Sequence, residues 1–251
     1  MTTAGPLIRS WRQRRNLSQL DLATRADVST RHLSYIENGR SRPTSGMLMK
    51  LCTHLDMPLR EQNQVLLAGG YAPAYPEHSL SAPPMAEANA AVEAILAGHL
   101  PYPALAVDRY WDLVAANDAV WTLLEGVSAE DLEPPVNVLR LSVDPGGLAP
   151  FIENLPEWRG SLLLRLAREF DAAPDDRLAA LIDDIRASGP ASATDSSAIV
   201  VPLRLRRGDT VLSFISATTV FGTAREVTLS ELAIEAFYPA DAATRTALAG
   251  T

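Results

Sequence analysis

Two short runs of apolar positions at helical spacing, within residues 17–39, give the chain its clearest pattern. In the second run a step of about 100° per residue places Leu33 and Ile36 on one face, with Arg31, Ser34, Tyr35 and Asn38 on the other. Each run opens on a side chain able to cap it. Ser18 is placed to cap a helix beginning at Gln19, Asp21 stands at the third helical position to reach back, and Leu17 and Leu22 form a hydrophobic staple. Ser29 repeats the device with Val28 and Leu33 in the staple positions, and Gly39 follows Asn38 where a left-handed stop is needed. Two short helices therefore meet across Ala26, Asp27 and Val28, the spacing of a helix-turn-helix. The polar face of the second helix carries an arginine able to grip guanine bidentately. Thr30, Ser34 and Tyr35 beside it are of a length to reach base edges or phosphates.

Patterning around this unit predicts three more helices. Ile8 and Trp11 mark one before it, with Arg9, Arg12, Arg14 and Arg15 as phosphate-side or solvated charges. Thr44 caps another running to about residue 55, and Pro58 opens a third that stops before Gly69 and Gly70. Residues 1–70 thus read as an all-α five-helix head, and 71–84, YAPAYPEHSLSAPP, as a linker too rich in proline for a helix or central strand. A second domain is expected over 85–251. Its pattern predicts a helix at 85–98, strands at 104–107 and 111–115, and a helix capped by Asn117. Short helical turns through residue 150 precede long helices at 155–170 and 175–187 and a loop at 189–197. Strands are expected at 198–206, 210–220 and 225–238, the first two joined by a hairpin at Arg207, Gly208 and Asp209. Strands, then helices, then strands imply an α+β layer with one antiparallel sheet and helices on one face.

The net charge of −8 runs against nucleic-acid binding until it is divided. Residues 1–76 carry ten Lys and Arg against five Asp and Glu, a net of +5, whereas residues 77–251 carry 12 against 25, a net of −13. Attraction to phosphate belongs to the head alone, and the acidic body limits non-specific binding. No run is long enough to span a membrane and no leader pattern opens the chain, so a soluble cytoplasmic protein is expected. Cys52, the only cysteine, allows no intrachain disulfide; its place near Leu48, Leu51 and Leu55 suits a buried filler.

With LSQLDLA at 17–23 and ENGRSRP at 37–43, the head resembles the XRE family of helix-turn-helix regulators, which share the fold of lambda repressor. The resemblance implies that the helix from Thr30 to Asn38 enters the major groove. Thr30, Arg31, Ser34 and Tyr35 are then the base-reading candidates, and Gln19, Ser29, Asn38, Arg40 and Arg42 the backbone contacts. The run PALAVDRYWDLVAAN, the NVLRL segment at 137–141 and Trp158 resemble the PAS-like ligand-binding domain of MmyB-like regulators. Residues 192–197 lack the tryptophan and histidine associated with many members there.

Catalysis finds little support in the residues. His32, His54, His78 and His99 are scattered without a carboxylate or thiol at metal or triad spacing, DPGG at 144–147 is a turn, and Asp175 and Asp176 suit a helix start. No enzyme activity, metal or cofactor is expected. An apolar pocket is: Trp111, Trp121, Phe151, Trp158, Leu162, Phe214 and Phe221 are its candidate lining, each of which could equally be core. The resemblance implies a ligand of fatty-acyl type. The expected working form is a homodimer on double-stranded DNA with an inverted-repeat operator, its affinity set by that ligand. Two alternatives stand beside it: a second domain that only dimerises or binds a protein, which predicts a filled interior, and an enzyme with a fused head, which predicts a polar cluster in a cleft.

Overall fold

The computed structural model describes residues 3–192 and 199–249, arranged as two compact units. The first takes the residues up to His78 together with Thr223–Ser230; the second takes Ser79–Gly222 and Glu231–Thr251. The sequence reading placed 223–230 inside the second domain.

Five helices build the first unit: α1 (Ala4–Arg14), α2 (Gln19–Arg25), α3 (Thr30–Glu37), α4 (Ser45–His54) and α5 (Leu59–Ala68). Their starts follow the caps. Ser18 Oγ accepts from the Asp21 N–H at 3.1 Å while the Ser18 N–H donates to Asp21 Oδ2 at 2.8 Å, a reciprocal capping box. Ser29 and Thr44 accept in the same way from the N–H groups of His32 and Met47. Asp27 turns the chain between α2 and α3 at a φ of 47°, and Gly39 ends α3 at 67°. Ile8, Leu22, Leu33, Ile36, Leu48, Leu51 and Leu66 fill the core. At Gly5 a Cβ would stand 2.2 Å from the Ile36 carbonyl oxygen, so only glycine lets α1 lie this close to α3.

Burial pushes the Cys52 thiol up to about 12 from its ordinary 9.0. The native chain therefore holds this proton where the unfolded chain releases it. The group costs nothing below its ordinary value and destabilises increasingly as the pH rises from there towards 12. A thiol reagent at neutral pH is expected to leave the native protein unlabelled and to modify the cysteine in denaturant. Labelling of the native chain would show instead that α4 opens.

In the second unit, α6 (Ala86–Gly98) precedes β1 (Ala104–Val107), β2 (Leu113–Ala116), α7 (Asp118–Leu123) and α8 (Val138–Val143). Two long helices, α9 (Leu155–Ala172) and α10 (Asp176–Ala187), lead to β3 (Leu203–Arg207), β4 (Thr210–Val220), β5 (Ala233–Pro239) and α12 (Ala242–Ala249), while α11 (Val227–Glu231), between β4 and β5 in the chain, belongs to the first unit up to Ser230. The five strands form one antiparallel sheet in the order β2-β1-β5-β4-β3. Register places Leu105 opposite Glu235, and Leu203 and Leu205 opposite Phe214 and Leu212. One face of the sheet thus presents Leu105, Glu235, Phe237, Phe214, Leu203 and Leu205 towards the helical layer. All four residues of β1 are buried, with α6 lying against that strand, so helices cover both sides there and not one face only.

Four local readings differ from the pattern. The strand expected at 225–238 begins at Ala233, because the Glu226 carboxylate accepts from the Leu229 N–H at 2.7 Å and turns the preceding residues into α11. The strand expected from 198 begins at Leu203; residue 198 lies outside the described residues, as do 193–197 of the expected loop. Helix α12 carried no strong signal in an alanine-rich tail. Asn117 precedes α7 without capping it. Its side chain is buried, accepting from the Ala104 N–H and donating to the carbonyls of Leu96 and Tyr102.

Within the first unit, the part of the expected linker up to His78 is bonded to the helices and to α11. The Asn63 side chain bonds the backbone of Ala74 and Tyr75, Tyr71 donates to the Pro43 carbonyl, and the Val227 N–H donates to the Pro76 carbonyl at 2.9 Å. Glu226 also accepts from the His78 N–H at 2.7 Å.

Candidate functional site

Leu33, Ile36 and Glu37 bury one side of α3, which leaves Arg31 exposed and Thr30, Ser34 and Tyr35 half-buried on the other. Arg31 Nε donates to Tyr35 Oη at 3.0 Å and its guanidinium lies 5.4 Å from the Tyr35 ring centre, a cation–π pair on the exposed side of the helix. Asn38 donates to the Ser34 carbonyl at 2.8 Å and to its Oγ at 3.3 Å. Arg40 and Arg42 are exposed, with no side-chain partner among the described residues. Two more of the candidate backbone contacts hold internal bonds: Ser29 Oγ caps α3, and Gln19 Nε2 donates to Glu37 Oε2 at 2.8 Å.

Glu37 is the hub of this region. Arg12 donates to its two oxygens at 2.6 and 2.9 Å and to the Leu17 carbonyl at 2.7 Å, joining α1, the α1–α2 turn and α3. The carboxylate raises the Arg12 pKa, and both side chains are buried. Arg15 donates to the carbonyls of Leu55 and Asp56. Of the four arginines read as phosphate-side or solvated charges, these two act as internal ties. The hydrophobic pattern signalled Arg12 weakly, through its place directly beside the buried Trp11.

The second unit encloses an apolar cavity of about 90 Å³, several times what a single water needs. Trp111, Trp158 and Leu162 line it with Leu105, Val120, Leu139, Leu141, Leu203 and Phe237. Trp111 owes its place to the turn after β1: Asp108 Oδ1 accepts from the N–H groups of Tyr110 and Asp112, and Trp111 adopts a φ of 68°. Asn137 closes the same turn by donating to the Tyr110 carbonyl at 2.6 Å and to Asp112 Oδ1 at 2.9 Å. Burial raises the Asp108 pKa, against the lowering effect of the N–H donors it receives.

The other four lining candidates fall elsewhere. Trp121 is 48% exposed, because Val120 and Leu123 turn inward on α7 and leave it outside. Phe214 is fully buried in a second cluster with Leu212 and Leu248, edge-on to Phe237 at 6.2 Å. Phe151 packs against that cluster and stacks with Arg207, and Phe221 follows the end of β4.

Sequence reasoning missed the polar lining, Arg165, Glu235 and Ser142. Arg165 could have been found by spacing, since it continues the α9 stripe of Trp158 and Leu162. Glu235 stands at an inward strand position between Ala233 and Phe237 and is 3% exposed. Arg165 Nη1 and Nη2 donate to its two oxygens at 3.1 and 2.5 Å, and the guanidinium stacks 4.3 Å over the Trp111 ring. Glu169, 3.5 Å from Arg165 Nε, accepts from Trp111 Nε1 at 2.9 Å; burial raises its pKa, with that bond opposing.

Residues 88–250, the greater part of the chain, match the family model of the MmyB-like transcription regulator ligand binding domain. The chain belongs to the MmyB-like transcription regulators. Residues 8–62 match a helix-turn-helix family model, so this regulator is a DNA-binding protein whose head precedes a domain of a ligand-binding family. Both families are of regulatory DNA-binding and ligand-binding domains. No curated protein matches the chain. Among the described residues, no helix of the regulator is long and apolar enough to cross a membrane.

Proposed function

We propose that the regulator reads an inverted-repeat operator as a dimer, through Thr30, Arg31, Ser34 and Tyr35 of α3, and that a small apolar ligand in the second unit sets its affinity for DNA. The cavity carries this reading. An interior that is apolar except for Arg165, Glu235 and Ser142 fits a fatty-acyl or similar chain and offers poor chemistry for turnover. Ser29, Asn38, Arg40, Arg42 and Gln19 hold or contact the DNA backbone in this reading, Gln19 through the side-chain N–H that it does not donate to Glu37. Two reading helices on successive major grooves lie about 34 Å apart, and the ligand acts only through its preference between placements of the heads.

Native mass spectrometry of the full chain as purified, followed by denaturing analysis of what it releases, tests the ligand. One apolar molecule per chain supports the reading. An empty dimer favours a domain that exists for pairing, for which the exposed cross-strand pair Ile215 and Tyr238 supplies an apolar patch.

On DNA, Arg31→Ala is expected to weaken the selected operator by about 1–3 kcal/mol, roughly fivefold to 150-fold, and to relax preference at one base position. Arg42→Ala is expected to weaken all sequences alike and to lower the salt slope of binding by about one. Fluorescence anisotropy over a salt series separates the two. Equal loss on all sequences for Arg31→Ala would remove it from base reading.

A further inference from the structure

We propose that the cavity of the second unit selects an apolar ligand ending in a neutral hydrogen-bonding head, a hydroxyl or primary amide, and discriminates against a carboxylate. This rests on the reading of the cavity as a ligand site and specifies its chemistry.

The cavity's polar lining is already charge-compensated. Among the described lining residues Arg165 is the only cation, and Glu235 accepts from both of its terminal nitrogens. Glu169 faces the Nε side of the same guanidinium at 3.5 Å. A ligand carboxylate would meet one cation shared by two carboxyl groups, at a wall of low polarity where like charges repel strongly. Displacing Glu235 from Arg165 would strand a carboxylate that is 3% exposed.

The remaining hydrogen-bond capacity is mixed. Glu235 Oε1 receives Arg165 Nη2 and the Thr218 hydroxyl, the latter at 2.5 Å, whereas Oε2 receives Arg165 Nη1 alone. Arg165 Nη2 donates to Glu235 and Thr218, whereas Nη1 has a single acceptor. One N–H on Nη1 and one lone pair on Oε2, on two atoms 3.1 Å apart, are therefore left without a partner among the described residues. A hydroxyl or amide both accepts and donates and can answer the two together. A carboxylate answers only the first and an ammonium only the second. Ser142 does not compete for the head: its Oγ donates to the Leu139 carbonyl at 2.8 Å and accepts from Trp158 Nε1 at 3.3 Å.

Trp111 and Trp158 in the cavity wall provide a fluorescence signal for titrating the full chain with decanol, decanamide and decanoate, below their micelle concentrations and at a pH where the acid is ionised. Decanol and decanamide are expected to bind saturably, with decanoate weaker by roughly tenfold or more. Glu235→Gln leaves Arg165 with one carboxyl neighbour and is expected to raise decanoate affinity by about tenfold relative to decanol. Decanoate binding as tightly as decanol to the unaltered protein overturns the inference on its own, without recourse to the variant. An unchanged order in a folded Glu235→Gln does the same. Saturable binding of none of the three overturns the ligand reading itself, a result distinct from a reversed order.

Discussion

Glu37→Ala is expected to destabilise the first unit by about 3–5 kcal/mol, the cost of removing one partner from a buried ion pair. The Glu37 side chain is 0% exposed and that of Arg12 9%, so alanine leaves a guanidinium enclosed without its counter-charge. Gln19 Nε2 loses its acceptor in the same step, and three helices lose their common polar contact. For a domain of this size the loss lowers the unfolding midpoint of the unit by about 12 °C or more, measured by scanning calorimetry, and abolishes DNA binding well below that of the unaltered protein. The double variant Arg12→Met with Glu37→Leu tests the cause. Similar volumes without charge are expected to recover most of the stability, since a buried pair is weak evidence of net stabilisation even where breaking it is costly. A Glu37→Ala midpoint within a degree or two of the unaltered protein would show that water reaches Arg12 and that the network adds little.

Trp111→Ala is expected to cost the second unit a similar 3–5 kcal/mol, measured by denaturant unfolding. The ring is 4% exposed; it supports the Arg165 guanidinium at 4.3 Å and donates to Glu169 at 2.9 Å. Its removal enlarges the cavity and leaves a buried carboxyl without that donor, two losses in one substitution. Because the backbone at 111 holds a φ of 68°, alanine also keeps the strain of a left-handed conformation. Trp111→Gly, free of that strain, is expected to be no less stable than Trp111→Ala although it removes one carbon more. A glycine variant clearly less stable than the alanine would mean that the turn tolerates 111 through its bonds to Asp108 and Asn137 and not in spite of strain.

Local signals were readable in the chain, and long-range polar contacts were not. Ser18, Ser29, Thr44 and Gly39 announced helix ends because caps act within four residues. The β3–β4 hairpin was placed at Arg207, Gly208 and Asp209 for the same reason, and Gly208 has the positive φ its turn requires. Glu37 looked like one more charge before a glycine, since its partner Arg12 lies 25 positions away. Arg165 and Glu235, 70 positions apart, meet only because β5 inserts between β1 and β4. Aromatic type alone did not separate lining from filling. Trp111 and Trp158 reach the cavity while Trp121, no less apolar, points out from α7. The distinction depends on helix phase, which a six-residue helix barely records.

The first unit is discontinuous along the chain, and this orders events during synthesis. Glu226 and Val227, which bond the backbone of His78 and Pro76, leave the ribosome roughly 150 residues after the stretch they hold, at a time set by elongation. A nascent chain stopped after β4 carries every side chain proposed to face DNA yet lacks the bonds that fasten the end of its DNA-binding unit. Finished anchoring of that unit is thereby tied to translation through most of the ligand-binding domain, so truncated products do not carry the head in its completed form.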